Sequence, residues 1–127
     1  ILIPFKMRLE DLVVYQLAME IGDDVYFQIE KWDSFQKWTT KKQLIEEVDS
    51  IAANIGEGYG KSFYKENRQF QYYSRGSQTE TKTWLTKAKN RKLIEEDTFN
   101  EFIEKLDELG KRHNNYIKSI GPKPNDQ

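Results

Sequence analysis

Three glycines separated by single residues follow a helical pattern in the segment Gly56-Glu-Gly-Tyr-Gly60, and they constrain the fold more than any other feature. Just before them, Ile51 and Ile55 lie one helical turn apart. A polar stripe at i, i+4 and i+7 runs beside these isoleucines: Ser50, Asn54 and Glu57. Glycine adopts positive φ at a helix C-terminus without the steric penalty of a Cβ, and Gly58 and Gly60 are placed to do so. We therefore predict a helix that ends near residue 58.

Apolar residues recur at three- and four-residue spacing throughout the chain and predict four amphipathic helices. Their approximate bounds are residues 8–30, 40–58, 63–91 and 95–120, with a capping box at Thr40-Lys-Lys-Gln43 starting the second. No segment alternates with period two for long enough to form a strand. Helices that are apolar on one face and joined by short connections favour an all-α, antiparallel up-and-down four-helix bundle.

The chain of 127 residues fits a single domain. We expect that domain at residues 8–120, after an N-terminal extension at 1–7 and before a disordered, proline-containing tail at 121–127. Trp32 and Trp38 bracket the first connection and are expected to cover that end of the bundle. The core is expected to be rich in aromatic side chains, with these contributors: Phe70, Tyr73, Trp84, Phe99 and Phe102.

The composition excludes several kinds of site. The absence of cysteine removes disulfide scaffolds, thiol nucleophiles, zinc ribbons and iron–sulfur centres. A di-iron bundle needs histidines on two helices, but His113 is the only histidine and falls on an apolar face, where a hydrogen-bonded core histidine is expected. We therefore predict no catalytic residues, metal, cofactor or small-molecule substrate. The chain has neither a membrane-length apolar run nor a signal-peptide pattern, which favours a cytoplasmic protein.

A set of polar and small residues lies on the second and third predicted helices. The carboxylates in this set could form an acid–base pair, but no histidine, cysteine or metal-ligand spacing accompanies them. The residues concerned are Asn54, Glu57, Gly58 and Glu80. We expect Glu80 to hydrogen-bond Ser50 and Asn54 at a packed contact. Small side chains on the third helix permit close approach of another helix, from this chain or a neighbour. The residues assigned to this structural or interface role are Ser50, Asn54, Glu57, Gly58, Gly76, Ser77 and Glu80, with Ser74 and Thr81 beside them.

Charge is distributed unevenly along a nearly neutral chain. Residues 1–60 hold 6 basic and 11 acidic side chains, whereas residues 61–127 hold 14 and 10. A stripe along the third helix is a candidate for binding a phosphate backbone, with a tyrosine to stack on an unpaired base: Lys61, Lys65, Arg68, Tyr72, Arg75, Lys82 and Lys89. The favoured alternative is a solvated face whose charges pair with the acidic first helix of the same or an adjoining subunit.

These helices resemble the small four-helix-bundle proteins encoded in intervening sequences of bacterial 23S ribosomal RNA genes. The resemblance covers about residues 9–110. It rests on Leu12-Val-Val-Tyr15-Gln-x-Ala18, Val25-Tyr26, Gln43, Ser50-Ile51, Asn54-Ile-Gly-Glu-Gly58, Gly60-Lys61, Glu66, Phe70 and Gly76-Ser-x-x-Glu80. A related branch is the accessory variability protein of diversity-generating retroelements, which partners a reverse transcriptase and binds nucleic acid.

The resemblance implies a homopentameric ring of four-helix bundles without enzymatic activity. Two function classes stay open: an oligomeric scaffold or protein-interaction module, and an accessory protein that binds ribosomal RNA, single-stranded DNA or a nucleic-acid enzyme. The balanced charge departs from the strongly basic retroelement branch. Gly56 stands where many relatives carry Ala, which lowers helix propensity near the end of the second helix.

Overall fold

The computed structural model describes residues 7–121, which contain four α-helices and no β-strand. A 3₁₀ turn at Leu9–Asp11 precedes α1, and the helices are α1 (Val13–Ile29), α2 (Phe35–Tyr59), α3 (Tyr64–Asn90) and α4 (Glu96–Ser119). The predicted all-helical class is confirmed. Residues 1–6 and 122–127 of the expected extension and tail lie outside the described residues.

Consecutive helices pack side by side, and α4 closes the bundle against α1. Across the α2–α3 contact, Ser74 Oγ donates to the Ile51 carbonyl, and Gln71 Nε2, one turn earlier, donates to the Ile55 carbonyl, one turn later. The partner on α2 is later in the chain when the residue on α3 is earlier, so the two helices run antiparallel. The α2–α3 hairpin has the most extensive contact in the molecule.

Helix α2 begins five residues before the predicted capping box. Ser34 is the N-cap, with an Oγ that accepts from the Lys37 backbone N–H at 3.4 Å. Thr40 is fully buried inside the helix, where its Oγ1 accepts a hydrogen bond of 2.9 Å from the Arg91 guanidinium. The predicted capping box was therefore wrong, because the Thr40 hydroxyl bonds to the side chain of Arg91, the residue that follows α3, rather than to orphan N–H groups.

The core is aliphatic rather than aromatic. Of the five aromatic residues expected there, only Phe102 is buried, while Trp84 and Phe99 lie partly buried at its edge. Phe70 is also partly buried, but Tyr73 is 51% exposed, so its assignment to the core was wrong. The interior is filled by these residues, among others: Ile21, Val25, Ile29, Leu44, Val48, Ile51, Ile55, Leu85, Leu106 and Leu109.

The glycines of α2 do not terminate it through positive φ. Gly60, the C-cap, has φ −74°, and among the described residues only Lys92 and Gly121 have positive φ. Gly58 instead lies buried within the helix, where a Cβ would come within 2.8 Å of the Asn67 backbone oxygen. The prediction that Gly58 and Gly60 adopt positive φ was wrong, and Gly58 serves close packing of α2 on α3.

Candidate functional site

The inward face of α3 is polar along most of its length. Its buried polar side chains recur at three- and four-residue spacing: Asn67, Gln71, Ser74, Ser77, Gln78 and Thr81. Apolar residues take over this face only toward its end, at Leu85 and Ala88. Because buried polar groups are costly unless they are hydrogen-bonded, this face requires partners from the neighbouring helices.

Most of those partners form one continuous hydrogen-bonded cluster, here called the buried amide network. Gln71 is its centre, because its Nε2 donates to Asn67 Oδ1 at 2.9 Å and its Oε1 faces His113 Nε2 at 2.8 Å. Gln78 Nε2 lies 2.9 Å from His113 Nδ1. Asn67 Nδ2 extends the network to the Tyr116 hydroxyl at 3.3 Å. The network therefore joins α3 to α4 through the side chains of His113 and Tyr116.

The network fixes the tautomer of His113. A glutamine carbonyl oxygen only accepts, so Nε2 carries the hydrogen that is donated to Gln71. Gln78 Nε2 only donates, so Nδ1 must accept and carries no hydrogen. Burial, followed by the charge of Arg75, lowers the pKa of His113 from 6.5 to about 4. His113 is thus a fully buried, neutral histidine with both ring nitrogens bonded, as its sequence position indicated.

This arrangement is suited to holding helices together. Every fully buried side-chain nitrogen and oxygen in the described part of the chain has a hydrogen-bond partner. Within the same residues, no group of three or more histidine, aspartate or glutamate side chains is placed to hold a metal ion. Sequence reasoning missed the network, although glutamine and asparagine at i, i+4 and i+11 on one face of α3 were a signal for it.

The polar residues predicted on α2 do not meet Glu80. Ser50 Oγ donates to the Glu46 carbonyl, and Asn54 Nδ2 donates to the Ser50 carbonyl, so both bond within their own helix. Glu80 is exposed and lies beside Glu47, and burial together with this neighbouring carboxyl raises the pKa of Glu47. The predicted bonds from Glu80 to Ser50 and Asn54 were wrong.

The remaining members of that predicted set have separate environments. Glu57 forms an exposed ion pair of 3.1 Å with Lys61. Ser77 is buried on the inner face of α3, where its backbone carbonyl accepts from Thr81 Oγ1. Gly76 is exposed, and a Cβ added there would meet no atom within 4 Å. The small residues Ser74, Ser77 and Thr81 thus serve close packing within this chain, and only Gly76 is left for a neighbour.

The predicted basic stripe divides into two surfaces. Arg68 donates to the Ile120 carbonyl at 3.1 Å and Lys82 bonds Asp107 at 2.6 Å, while the Lys89 ammonium lies 4.4 Å from the Phe99 ring centroid. These three side chains therefore lie along the α3–α4 contact. The intrachain pairing predicted with α1 was wrong, because the acidic partner belongs to α4.

Among the residues that the structure describes, the other members of the stripe form no hydrogen bond or ion pair with α4, although Arg75 lines a groove between α3 and α4 beside Lys82. Lys65 is exposed, and the Arg75 guanidinium carbon lies 5.7 Å from the centroid of the half-exposed Tyr72 ring. Lys61 pairs with Glu57 and lies over the Phe70 ring. The outer face of α3, defined by Lys65, Tyr72, Tyr73, Arg75 and Gly76, is thus basic and aromatic.

A groove between α1 and α2 carries the opposite charge. Its floor has small residues, and a Cβ on Gly22 would lie 3.1 Å from Asp49 Oδ1. Burial, followed by the charge of Asp23, raises the pKa of Asp49. No cation pairs with Asp49 in the described part of the chain. The groove, here called the acidic groove, is lined by Tyr15, Ala18, Met19, Gly22, Asp23, Asp49, Ala52 and Ala53.

Comparison with known proteins places this bundle in a family. The model of the 23S rRNA-intervening sequence protein family matches residues 10–115, which span all four helices except the last residues of α4. The chain belongs to this family. No curated protein matches it significantly.

The fold of this 23S rRNA-intervening sequence protein also occurs in a solved structure. It is similar to a protein of unknown function from the S23 ribosomal protein family of Bacteroides thetaiotaomicron, with a TM-score of 0.74 and 19% identity over 83% of this chain and 98% of the other. At this identity the likeness concerns the fold alone. The buried amide network, including His113 but not Tyr116, lies inside residues 10–115 that the family model matches. The connection to diversity-generating retroelements stays a prediction.

The helices were also compared with the requirements for spanning a bilayer. Within residues 7–121, no helix combines the length and apolar character needed to cross a membrane.

Proposed function

We propose that this family member is a non-enzymatic, cytoplasmic scaffold that assembles from copies of its own bundle into a homopentameric ring. The observation that carries this proposal is the outer face of α3. There Gly76 is open to an approaching surface, and Tyr72 and Tyr73 are 48% and 51% exposed on either side of it. Exposed aromatic side chains around a small residue are typical of a surface that packs against a partner.

The acidic groove is the complementary surface for this face. Arg75 has no carboxylate partner among the described residues, and Asp49 has no cation. An Arg75 guanidinium placed in the acidic groove of another copy satisfies both groups. Because the two surfaces differ, the contact is head-to-tail, and such contacts form a ring when the rotation closes.

Replacing Gly76 by Trp is expected to dissociate the assembly without unfolding the subunit. The large ring overpacks a close contact between copies, whereas within one copy it points into open space. Light scattering should report a 15.1 kDa species for Gly76→Trp and a larger one for the unchanged protein, with equal helicity by circular dichroism. Lys111→Trp, which adds the same side chain to an exposed position of α4, is the control and should assemble normally.

A charge exchange tests which surfaces meet. Arg75→Asp and Asp49→Arg should each weaken assembly, since each places like charges in contact, and the double variant should recover it. An unchanged protein that scatters as a monomer at tens of micromolar contradicts the scaffold proposal itself. An assembly that is indifferent to both single changes contradicts only this pairing of surfaces.

Binding of nucleic acid along α3 is a second candidate function, favoured by the outward Lys65 and Arg75 beside Tyr72. Lys65→Ala with Arg75→Ala should weaken binding of single-stranded RNA in a filter assay. The salt dependence should flatten by about 0.7 log units for each lost phosphate contact. Arg68→Ala with Lys82→Ala is the matched control, because these side chains already bond Ile120 and Asp107.

The control pair should instead lower the melting temperature modestly, because the exposed Lys82–Asp107 ion pair contributes about 0–1 kcal/mol and the hydrogen bond from Arg68 to the Ile120 carbonyl about 0.5–1.5 kcal/mol. Equal loss of RNA binding in both double variants would contradict the division of the stripe into an inner and an outer surface. Absence of binding at low salt would remove this second candidate and leave the scaffold standing.

A further inference from the structure

Large aromatic side chains are concentrated where α1 connects to α2. The last turns of α1, the connection and the first turns of α2 supply five of them, here called the aromatic tip: Tyr26, Phe27, Trp32, Phe35 and Trp38. Phe35 is 82% exposed, Phe27 66% and Trp38 50%. Trp32 packs against the core and covers this end of the bundle as expected, but Trp38 does not. Large apolar surface left in water at one place marks an interaction site.

The exposed rings of the aromatic tip lie at one end of the molecule, as one pair on each of two helices. Phe35 and Trp38 are three residues apart on α2, so they occupy the same side of the helix, and Lys42 follows one turn later. The ring centroids of Tyr26 and Phe27 are 5.6 Å apart in an edge-to-face arrangement. Two neighbouring helices thus present exposed rings at the same end of the molecule.

Lysines are concentrated at the same end of the molecule, and one of them lies over a ring. Lys42 Nζ lies 5.6 Å from the Trp38 ring centroid, and Lys41 Nζ donates to the Glu30 and Trp32 carbonyls, which fastens the connection to α2. In the described part of the chain, no carboxylate forms an ion pair with Lys31, Lys37 or Lys42. At the same end, the Arg91 guanidinium reaches across from the last residues of α3 to bond Thr40. The acidic first half of the sequence is therefore locally basic here.

We propose that the aromatic tip binds single-stranded nucleic acid, with unpaired bases stacked on Phe35 and Trp38 and a phosphate held by Lys42 beside them. Proteins bind such strands with exposed aromatic rings next to cations, because every base has a π-face and every nucleotide carries a negative charge. The bases of a duplex are stacked on one another and do not expose their π-faces. This site shares no residue with the outer face of α3 or the acidic groove, so it does not depend on the proposed scaffold.

A membrane surface is less well matched to the aromatic tip. Insertion into an anionic bilayer would immerse the connection, where the Glu30 and Asp33 carboxylates stand on either side of Trp32. Trp32 is also engaged with the core of its own bundle. A single strand instead contacts the exposed rings of α2 and leaves the connection in water.

The test is titration of the full chain with a fluorescently labelled oligothymidylate of ~12 nucleotides, a length within the range that single-strand-binding sites cover. Phe35→Ala and Trp38→Ala should each weaken binding by about 5-fold to 150-fold, which corresponds to the loss of one stacked base. Lys42→Ala should reduce the salt dependence by about 0.7 log units. Trp38→Phe should retain most of the affinity.

Phe63→Ala is the matched control, because Phe63 is 47% exposed at the opposite end of the bundle, before α3. It should bind as the unchanged protein does. The proposal is overturned by absence of binding at low salt, by equal loss in Phe63→Ala, or by equal competition from a duplex of the same length. Vesicles with anionic lipid that bind while the oligonucleotide does not would assign the aromatic tip to a membrane surface and also overturn it.

Discussion

Replacing Gly58 by alanine should destabilise the subunit by about 2–4 kcal/mol. An added Cβ would lie 2.6 Å from Gln71 Nε2 and 2.8 Å from both the backbone oxygen and Oδ1 of Asn67. The Gln71 amide can move, but the backbone oxygen belongs to α3 and moves only with that helix. Any such shift breaks the bond from Gln71 to the Ile55 carbonyl and loosens the centre of the buried amide network. Urea denaturation followed by circular dichroism measures the loss.

Gly60→Ala, two residues further along, separates packing from backbone effects. An added Cβ there lies 3.6 Å from its nearest neighbours, and φ of −74° suits alanine, so stability should stay the same or rise by up to about 1 kcal/mol. Equal destabilisation by the two substitutions would show that the glycines matter through the backbone, as the sequence pattern alone suggested, and not through the contact with α3.

The positions of the helices followed from the sequence to differing degrees. The predicted bounds 63–91 and 95–120 agree with α3 and α4 to within one residue at each end, because no proline interrupts the first segment and apolar spacing runs along the second. The start of α1 was predicted five residues too early, where the chain forms a 3₁₀ turn, and the start of α2 five residues too late. The first turn of α2 exposes Phe35, and its cap is a lone Ser34, so periodicity gave no signal before Thr40.

The polar interior was harder to predict, since it depends on pairing between helices. Glu80 and Gln78 are two residues apart on α3, yet one is exposed and the other is buried against His113. Choosing between them requires the rotation of α3 about its axis. Among the described residues, a Cβ added to Gly76 meets no atom within 4 Å and Asp49 has no cation, and the proposed ring supplies a partner for both.

Acidification from pH 6.5 to pH 4 should cost the fold up to about 3 kcal/mol through His113 alone, since its pKa falls from 6.5 to about 4 on folding. In this interval the unfolded chain binds a proton that the folded chain does not. The free energy of unfolding therefore decreases as the pH is lowered and recovers as it is raised. Protonated His113 would also direct an Nδ1–H at the donor Nε2 of Gln78, so that bond is lost unless the amide turns over.

His113→Gln isolates this effect from the carboxylates. Burial raises the pKa values of Asp49 and Glu47, so their protonation on acidification stabilises the folded state and opposes the histidine contribution. The unchanged protein and His113→Gln both keep Asp49 and Glu47. Plots of the urea midpoint against pH between pH 7 and pH 4 should therefore differ in slope only by the contribution of His113. We expect His113→Gln to be less stable at pH 7 but flatter toward acid. Parallel slopes would mean that His113 takes up its proton in the folded state as readily as in the unfolded one. That result would contradict a buried, neutral histidine that is hydrogen-bonded to two glutamines.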